Sequence, residues 1–199
     1  MRHVTLTTLI AASALLLPAF LAIDPTWADG PYRGKVIDAE TKAPIEGAVV
    51  VGVWRRQPAL AMHPKHLFEE AKEVLTDKDG EFTLPGHFSM KSILSPLSKT
   101  RFQLYIYRSG YGSFPQFQIS PNPKQSDDDL FQLFETHSLV ELPKLKTREE
   151  RLQVVREACP SGDIPDEKLQ HLIPAMNVDW TNLGLEPGTC FNPSLRDFK

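Results

Sequence analysis

The stretch that decides the fold is GKVIDAETKAPIEGAVVVGVW, residues 34–54, which is followed by TDKDGEFTLP, residues 76–85. In the first stretch, two apolar runs flank an acidic turn at Asp38 and Glu40, a pattern typical of two strands joined by a loop. In the second, Asp79-Gly80 lies between apolar runs and predicts a type I′ hairpin, because both residues tolerate positive φ. Together these stretches predict a mainly β protein.

Short apolar runs on both sides extend this pattern to about six strands within residues 32–145. In the run RFQLYIY, Phe102, Leu104 and Ile106 should share one face of a strand, with Tyr105 and Tyr107 on the other. The segment FPQFQISPNPKQSDDD predicts a loop. The remaining strands are predicted in YRGKVID, EGAVVVGVWRR, KEVL, EFTL and HSLVELPKL.

Two of these strands, AVVVGVW and LYIY, are apolar on both faces. One face of a sandwich strand normally meets water and is polar, so an apolar outer face needs a cover. The cover could be the C-terminal helices, the insertion at residues 57–72 packing back over the sheet, or a partner or ligand. The first two would be internal to the chain.

The chain changes character at Thr147, where TREERLQVVREAC predicts a helix. Thr147 can cap it, and Glu149 and Glu150 occupy the first turn, where the helix dipole favours acids. A second helix is predicted from Asp166 to Pro174, followed by an irregular tail. A third helical piece is predicted within HPKHLFEEAKE, residues 63–73.

The order of motifs in residues 32–142 resembles the carboxypeptidase regulatory-like domain. The shared order is a G-x-V strand, an acidic turn, P-I-x-G-A, a valine-rich strand, T-D-x-D-G-x-F-x-L-P and the pair Gly110-Tyr111. The resemblance implies a seven-stranded Greek-key, transthyretin-like β-sandwich. It also implies a non-catalytic module of exported or surface proteins. The insertion after Trp54 and the helical extension depart from the family pattern.

The N-terminus predicts export. Arg2 precedes an uncharged apolar run from about Leu9 to Ile23, and small residues at Thr26 and Ala28 suit signal peptidase cleavage before Asp29. An uncleaved membrane anchor is the alternative. The predicted organisation is a signal peptide at 1–28, a sandwich at 29–145 and a helical extension at 146–199. Secretion to the periplasm or cell surface follows, without stable membrane insertion after cleavage.

The chain has two cysteines, Cys159 and Cys190. In an oxidising compartment they predict one disulfide, which would stabilise the fold by about 3 to 4 kcal/mol in the chain-entropy model. A redox pair or metal ligands would need closer spacing. The slight acidic excess, net charge −3, leaves no basic face for nucleic acid.

Two enzyme families share the sandwich. Intradiol dioxygenases, which the GAVVVGVW stretch resembles, hold iron with two tyrosines and an H-x-H pair. Here Tyr107 and Tyr111 are the tyrosines to consider, and the histidines His87, His137 and His171 are scattered. Transthyretin-like hydrolases of the urate pathway end in Y-R-G-S, whereas Tyr32-Arg33-Gly34 begins the domain and precedes lysine.

One local cluster combines metal-capable side chains: His63 and His66 with Glu69 and Glu70. Zinc would suit them, but Pro64 and the lack of H-E-x-x-H favour a polar surface segment. The run Asp127–Asp129 lacks the spacing of a calcium loop. Ser113 lacks a G-x-S-x-G elbow.

The sequence therefore predicts no catalytic residue, no metal and no cofactor. The expected role is binding or structural, with a protein or glycan partner contacted by the insertion after Trp54, the aromatic loop from Tyr111 to Phe117, or both. The alternatives are a metal-dependent enzyme that uses His63 and His66 or sheet tyrosines, and a subunit of an envelope assembly.

Overall fold

The computed structural model of the protein describes residues 30–58, 66–89, 98–115, 138–160 and 163–188. Within these residues, seven strands form two sheets, and the mainly β prediction is confirmed. The strands are β1 (Tyr32–Asp38), β2 (Val49–Gln57), β3 (Leu67–Leu75), β4 (Glu81–Leu84), β5 (Lys99–Tyr107), β6 (Ser113–Phe114) and β7 (Ser138–Leu142).

The two sheets differ in size and in pairing. The three-stranded sheet has the order β4-β1-β7, and the four-stranded sheet has the order β3-β2-β5-β6. Strand β1 pairs antiparallel with β4 and parallel with β7, whereas all neighbours in the four-stranded sheet are antiparallel. The chain passes from one sheet to the other after β1, β3, β4 and β6.

An apolar core fills the space between the sheets, and the face prediction for β5 is confirmed. Phe102, Leu104 and Ile106 belong to the core between the sheets. Tyr105 and Tyr107 belong to a separate cluster on the outer face of the four-stranded sheet. Each fully buried apolar side chain of this size contributes roughly 1.5–3 kcal/mol.

The hairpin predicted at Asp79-Gly80 is wrong, because β3 and β4 lie in different sheets. Of the two residues, only Gly80 has a positive φ, 75°, so the turn is not type I′. The Asp77 carboxylate accepts hydrogen bonds from the backbone N–H groups of Asp79 and Glu81, both at 2.9 Å. The segment is a tight turn that directs the chain into the second sheet. A Cβ at Gly80 would collide with the carbonyl oxygen of Val36.

Two α-helices follow the sandwich: α1 (Arg148–Glu157) and α2 (Leu172–Asn182), with a 3-10 turn at Asp166–Lys168 between them. The cap predicted at Thr147 is confirmed as a capping box. Thr147 Oγ1 accepts the Glu150 N–H at 3.1 Å, and Glu150 Oε2 accepts the Thr147 N–H at 3.1 Å.

Two helix predictions are wrong. The second helix begins at Leu172 and runs to Asn182, through the tail predicted to be irregular. Pro174 does not end it, because proline is tolerated in a first turn, where its missing N–H has no helical acceptor. The helix predicted within residues 63–73 is also wrong, because Leu67–Leu75 pairs with β2 as strand β3.

The helices cover the outer face of the four-stranded sheet. One apolar cluster contains Val51, Val53 and Tyr105 from the sheet together with Met176 and Trp180 from α2. Of the covers that the sequence left open, the C-terminal helices are thus the one that packs on this face. Residues 67–72 of the predicted insertion instead belong to the sheet, as part of β3.

The predicted signal peptide, residues 1–28, lies outside the described residues. So do His63, Phe117, His137, Cys190 and the run Asp127–Asp129. In the part of the chain that the structure describes, neither α-helix has the length and apolar character needed to cross a membrane.

Candidate functional site

The candidate site lies where β2, β3 and the segment after β4 meet. Trp54, near the end of β2, is fully buried. Its ring centroid lies 5.0 Å from that of Phe102, 5.5 Å from that of His87 and 6.2 Å from that of Tyr32. Gly52 leaves room for these rings, because a Cβ there would collide with the Leu84 and Phe102 side chains.

Residues 86–89 are held against this cluster at three of their four positions. The Lys72 ammonium donates to the Gly86 carbonyl at 2.5 Å. The His87 ring packs on Trp54, and the Ser89 hydroxyl donates to Glu69 Oε1 at 3.4 Å. The remaining residue, Phe88, is 47% exposed. The structure therefore presents one aromatic ring to solvent on a backbone fixed on both sides.

Charged groups lie close to residues 86–89. Arg56 Nε donates to Glu69 Oε1 at 3.0 Å, and Lys72 lies 5.7 Å from the centroid of the Trp54 ring. Glu69 Oε2 and Trp54 Nε1 are buried and have no hydrogen-bond partner within the described residues. We call Phe88, His87, Ser89, Lys72 and Glu69 the Phe88 surface.

The neighbouring Glu70 is engaged elsewhere. Its carboxylate pairs with Lys168 at 2.6 Å. Burial acts to raise the pKa of Glu70, but the Lys168 ammonium and the Ala71 N–H outweigh it, so that this pKa is lowered. Glu70 therefore joins β3 to the helical layer as a stable anion.

The Phe88 surface combines an exposed aromatic ring on an anchored backbone with a cation, an imidazole and a hydroxyl, while the Glu69 side chain beneath them is paired with Arg56 and is only 6% exposed. This composition suits recognition of a partner by one aromatic contact and several hydrogen bonds. Among the described residues, no group of three or more His, Cys, Asp or Glu side chains could hold a metal ion.

The structure does not assemble the described members of the predicted metal cluster into a ligand set. His66 is exposed, while Glu69 and Glu70 are paired with Arg56 and Lys168. Both carboxylates thus already have cationic partners.

The tyrosines considered as iron ligands have structural partners. The Tyr107 hydroxyl donates to Asp179 Oδ2 at 2.5 Å, and Asp179 also accepts the Ser109 hydroxyl at 2.9 Å and the Gly110 N–H at 3.3 Å. Burial and the Asp179 carboxylate raise the pKa of Tyr107 far above its usual value. Tyr107 is therefore a neutral donor that fastens α2 to β5, and is poorly suited to act as a phenolate ligand.

Tyr111 contributes to the turn that follows β1. Its hydroxyl donates to Asp38 Oδ2 at 3.3 Å, and Lys144 lies 3.4 Å from the same oxygen. The Thr41 N–H, with help from the Glu40 N–H and Lys144 and against the effect of burial, lowers the pKa of Asp38 from 3.8 to about 2. Since Phe114 is buried, the described part of the predicted aromatic loop serves the fold.

The remaining candidates also lie in structural positions. His171 precedes α2, and its N–H donates to Glu73 Oε2 at 2.7 Å, whereas His87 belongs to the Phe88 surface. Tyr32 and Ser113 are buried.

The Cys159 sulfur lies 3.5 Å from the Met176 sulfur, and Cys159 is not a free thiol. Because Cys190 lies outside the described residues, the Cys159 to Cys190 disulfide stays a prediction.

Sequence reasoning missed Phe88. The letters GHFS after the EFTLP strand carry no motif, and the contacts that fix residues 86–89 come from β2 and β3. The available signal was a lone aromatic residue between His87 and Ser89, close to a predicted turn.

In comparisons with known proteins, the chain matches no family model, no curated protein and no solved structure. The fold defines the structural class: a two-sheet β protein with a helical layer on the outer face of its larger sheet. The function has to be inferred from the chain's own surfaces.

Proposed function

We propose that the protein is an exported, non-enzymatic β-sandwich that binds a protein or glycan partner in the periplasm or at the cell surface. The Phe88 surface is the proposed contact. The observation that carries this proposal is that Phe88 is 47% exposed while both of its neighbours are anchored. Because the residues on both sides of Phe88 are held, this segment of backbone loses little conformational freedom on binding, which favours affinity.

The finer identity proposed for the sandwich is a Greek-key, transthyretin-like domain of the carboxypeptidase regulatory-like type. The motif order in residues 32–142 supports it. So does the arrangement of seven strands in two sheets, in which the chain changes sheet directly after β1. Modules of this type are mostly non-catalytic, and that role is carried here by analogy.

The engagement of the reactive side chains supports binding over catalysis. Tyr107 is bonded to Asp179, Glu70 to Lys168 and Arg56 to Glu69. These groups join elements of the fold to one another. The helical layer also accounts for the apolar outer face of β2 and β5, which had suggested an assembly interface.

The test compares the chain from Asp29 onward with its Phe88→Ala variant, using Leu139→Ala as a matched control. Leu139 is 50% exposed, on the outer face of the other sheet. A glycan array and cross-linking in an envelope extract identify what the parent chain binds. Phe88→Ala should weaken that binding about tenfold or more, which corresponds to about 1.4 kcal/mol, and Leu139→Ala should not.

Both variants should keep the stability of the parent within about 0.5 kcal/mol, because they remove exposed side chains. A partner bound equally well by Phe88→Ala would place the contact elsewhere. A stoichiometric metal, measured by elemental analysis of untagged protein, would overturn the non-enzymatic proposal in favour of the metal-dependent alternative.

A further inference from the structure

Helix α2 carries a shallow groove, of about 490 Å³, on the side away from the sheet. Its lining residues recur every three to four positions and so share one helix face, opposite the buried Met176 and Trp180. Val178 in this groove is 53% exposed and is the most exposed large hydrophobic residue in the described part of the chain. The lining residues are Pro174, Asn177, Val178, Thr181 and Asn182.

The chain turns back along α2 after the helix ends. Gly184 has φ 74°, its N–H donates to the Thr181 carbonyl at 3.0 Å, and the Leu185 N–H donates to the Trp180 carbonyl at 2.9 Å. These two bonds form a Schellman motif. Leu185 then packs against the apolar cluster beneath α2, so the reversal is fixed by both bonding and burial.

The returning chain reaches the groove. The Gly188 N–H donates to Asn177 Oδ1 at 3.0 Å, and Asn177 is a lining residue. Between Leu185 and Gly188 the contacts move from Trp180 back to Asn177, towards the N-terminal end of the helix. The chain is therefore heading along the groove, towards Pro174, at the last residue that the structure describes.

The segment beyond Gly188 is long and apolar enough to fill the groove. At least eleven residues follow, and they include Phe191, Leu195 and Phe198. Helix residues rise about 1.5 Å each, so the lining residues span about 12 Å. About four extended residues, at about 3.3 Å each, cover that distance.

The predicted disulfide would lie at the same level of α2. Cys190 comes two residues after Gly188. The Cys159 sulfur lies 3.5 Å from the sulfur of Met176, the residue before Asn177. The predicted bridge would therefore tether the chain beside Met176, on the buried side of α2, two residues after the hydrogen bond from Gly188 to Asn177.

We propose that the groove on α2 is the docking site for the segment 191–199 of this same chain. Gly188 leads the segment in, and Cys190 holds its start. This site is separate from the Phe88 surface and does not depend on the binding function proposed above.

The test compares the chain from Asp29 to Lys199 with a chain that stops after Cys190, which retains both cysteines. Carbene footprinting reports the exposure of Val178 and Pro174, with Leu139 as an exposed control in both chains. Shortening should increase the labelling of Val178 and Pro174 several-fold and leave Leu139 unchanged. A synthetic peptide of residues 191–199, added to the shortened chain, should restore the protection.

Equal labelling of Val178 in both chains would overturn the proposal, because the groove would then be open to solvent. Light scattering tests whether a second copy of the chain, rather than its own C-terminal segment, occupies the groove. If protection of Val178 grows with protein concentration, in step with a dimer that persists in the shortened chain, the groove binds a second copy and the proposal fails. Val178→Asp in the full chain should also speed removal of residues 191–199 by a carboxypeptidase, while Leu139→Asp should not.

Discussion

The outer faces of the two sheets differ in polarity: one is partly polar and exposed, and the other is apolar and buried. In β4 and β7 of the three-stranded sheet, buried residues alternate with exposed or half-buried ones, as in β4, where Phe82 and Leu84 are buried and Glu81 and Thr83 are exposed. In the four-stranded sheet, the seven residues from Val49 to Arg55 are all buried. The difference follows from the cover: water meets the first sheet, and α1 and α2 pack on the second.

This contrast shows that the order of apolar and polar residues in a strand depends on the layers that pack on both faces of its sheet. Alternating strands need one apolar neighbour, whereas strands that are apolar on both faces need two. The sandwich and the helical extension are therefore energetically joined, because Val51, Val53 and Trp180 share one apolar cluster.

The largest expected effect comes from placing a charge on each outer face. Val51→Lys buries an ammonium between the sheet and α2, which should cost more than about 4 kcal/mol and leave little folded protein. Leu139→Lys puts the same group on the outer face of the three-stranded sheet, where it meets water, and should change stability by less than about 0.5 kcal/mol. Urea unfolding and soluble yield measure both.

If the two lysine variants unfolded at similar urea concentrations, the helical layer would not be a permanent cover of the four-stranded sheet. Val51→Ala tests the same position when Val51→Lys does not fold. It should lower stability by about 1 to 3 kcal/mol, from lost burial and the cavity that remains.

The next effect concerns the polar contact between the helical layer and the sheet. Asp179→Ala leaves the Tyr107 and Ser109 hydroxyls and the Gly110 N–H without their acceptor. The expected cost is about 3 kcal/mol, because buried donors lose their partner. Urea unfolding monitored by tryptophan fluorescence should show this loss.

Tyr107→Phe is the matched control for this contact. It removes one donor and leaves Asp179 with two, so it should cost only about 1 kcal/mol. A cost for Asp179→Ala no larger than that of Tyr107→Phe would mean that the hydrogen bonds to Asp179 do not hold α2 to the sheet.

The smallest effect is expected at Asp38, the buried last residue of β1, which is the central strand of the three-stranded sheet. Its pKa is lowered from 3.8 to about 2, so the folded state favours the carboxylate. This contribution to stability is complete above about pH 4 and is lost as the pH falls towards 2. Thermal unfolding of Asp38→Asn should therefore depend less on pH between 4 and 2 than that of the parent.

Some acid sensitivity should persist in Asp38→Asn, because the pKa values of Glu70 and Glu150 are lowered as well. Parallel curves of melting temperature against pH for the two proteins would contradict the role assigned to Asp38.

Local patterns predicted the strands and their faces well. The alternation in β5 and the capping box at Thr147 depend on residues close in sequence, so they could be read directly. The hairpin at Asp79-Gly80 failed because the turn residues allow a sharp bend but do not specify which strand β4 will pair with. The helix expected within residues 63–73 failed because pairing with β2 overrode the helical preference of its Glu, Ala and Lys residues.

The candidate site was less predictable than the fold. The sequence marks Trp54 as the end of a strand, but the anchors on either side of Phe88 are Lys72, Trp54 and Glu69, which lie 14 to 33 residues before the residues they hold. Such long-range contacts have no local periodicity.

By itself, the sequence determined the mainly β class, the two-sided apolar character of β2 and β5 and the need for a cover, because burial requires apolar residues in a readable order. Only the tertiary structure decided that α1 and α2 supply that cover, that β3 and β4 separate into different sheets and that Phe88 is held exposed. The physical reason is that these outcomes depend on which distant segments contact one another, and many different sets of contacts satisfy the same local preferences.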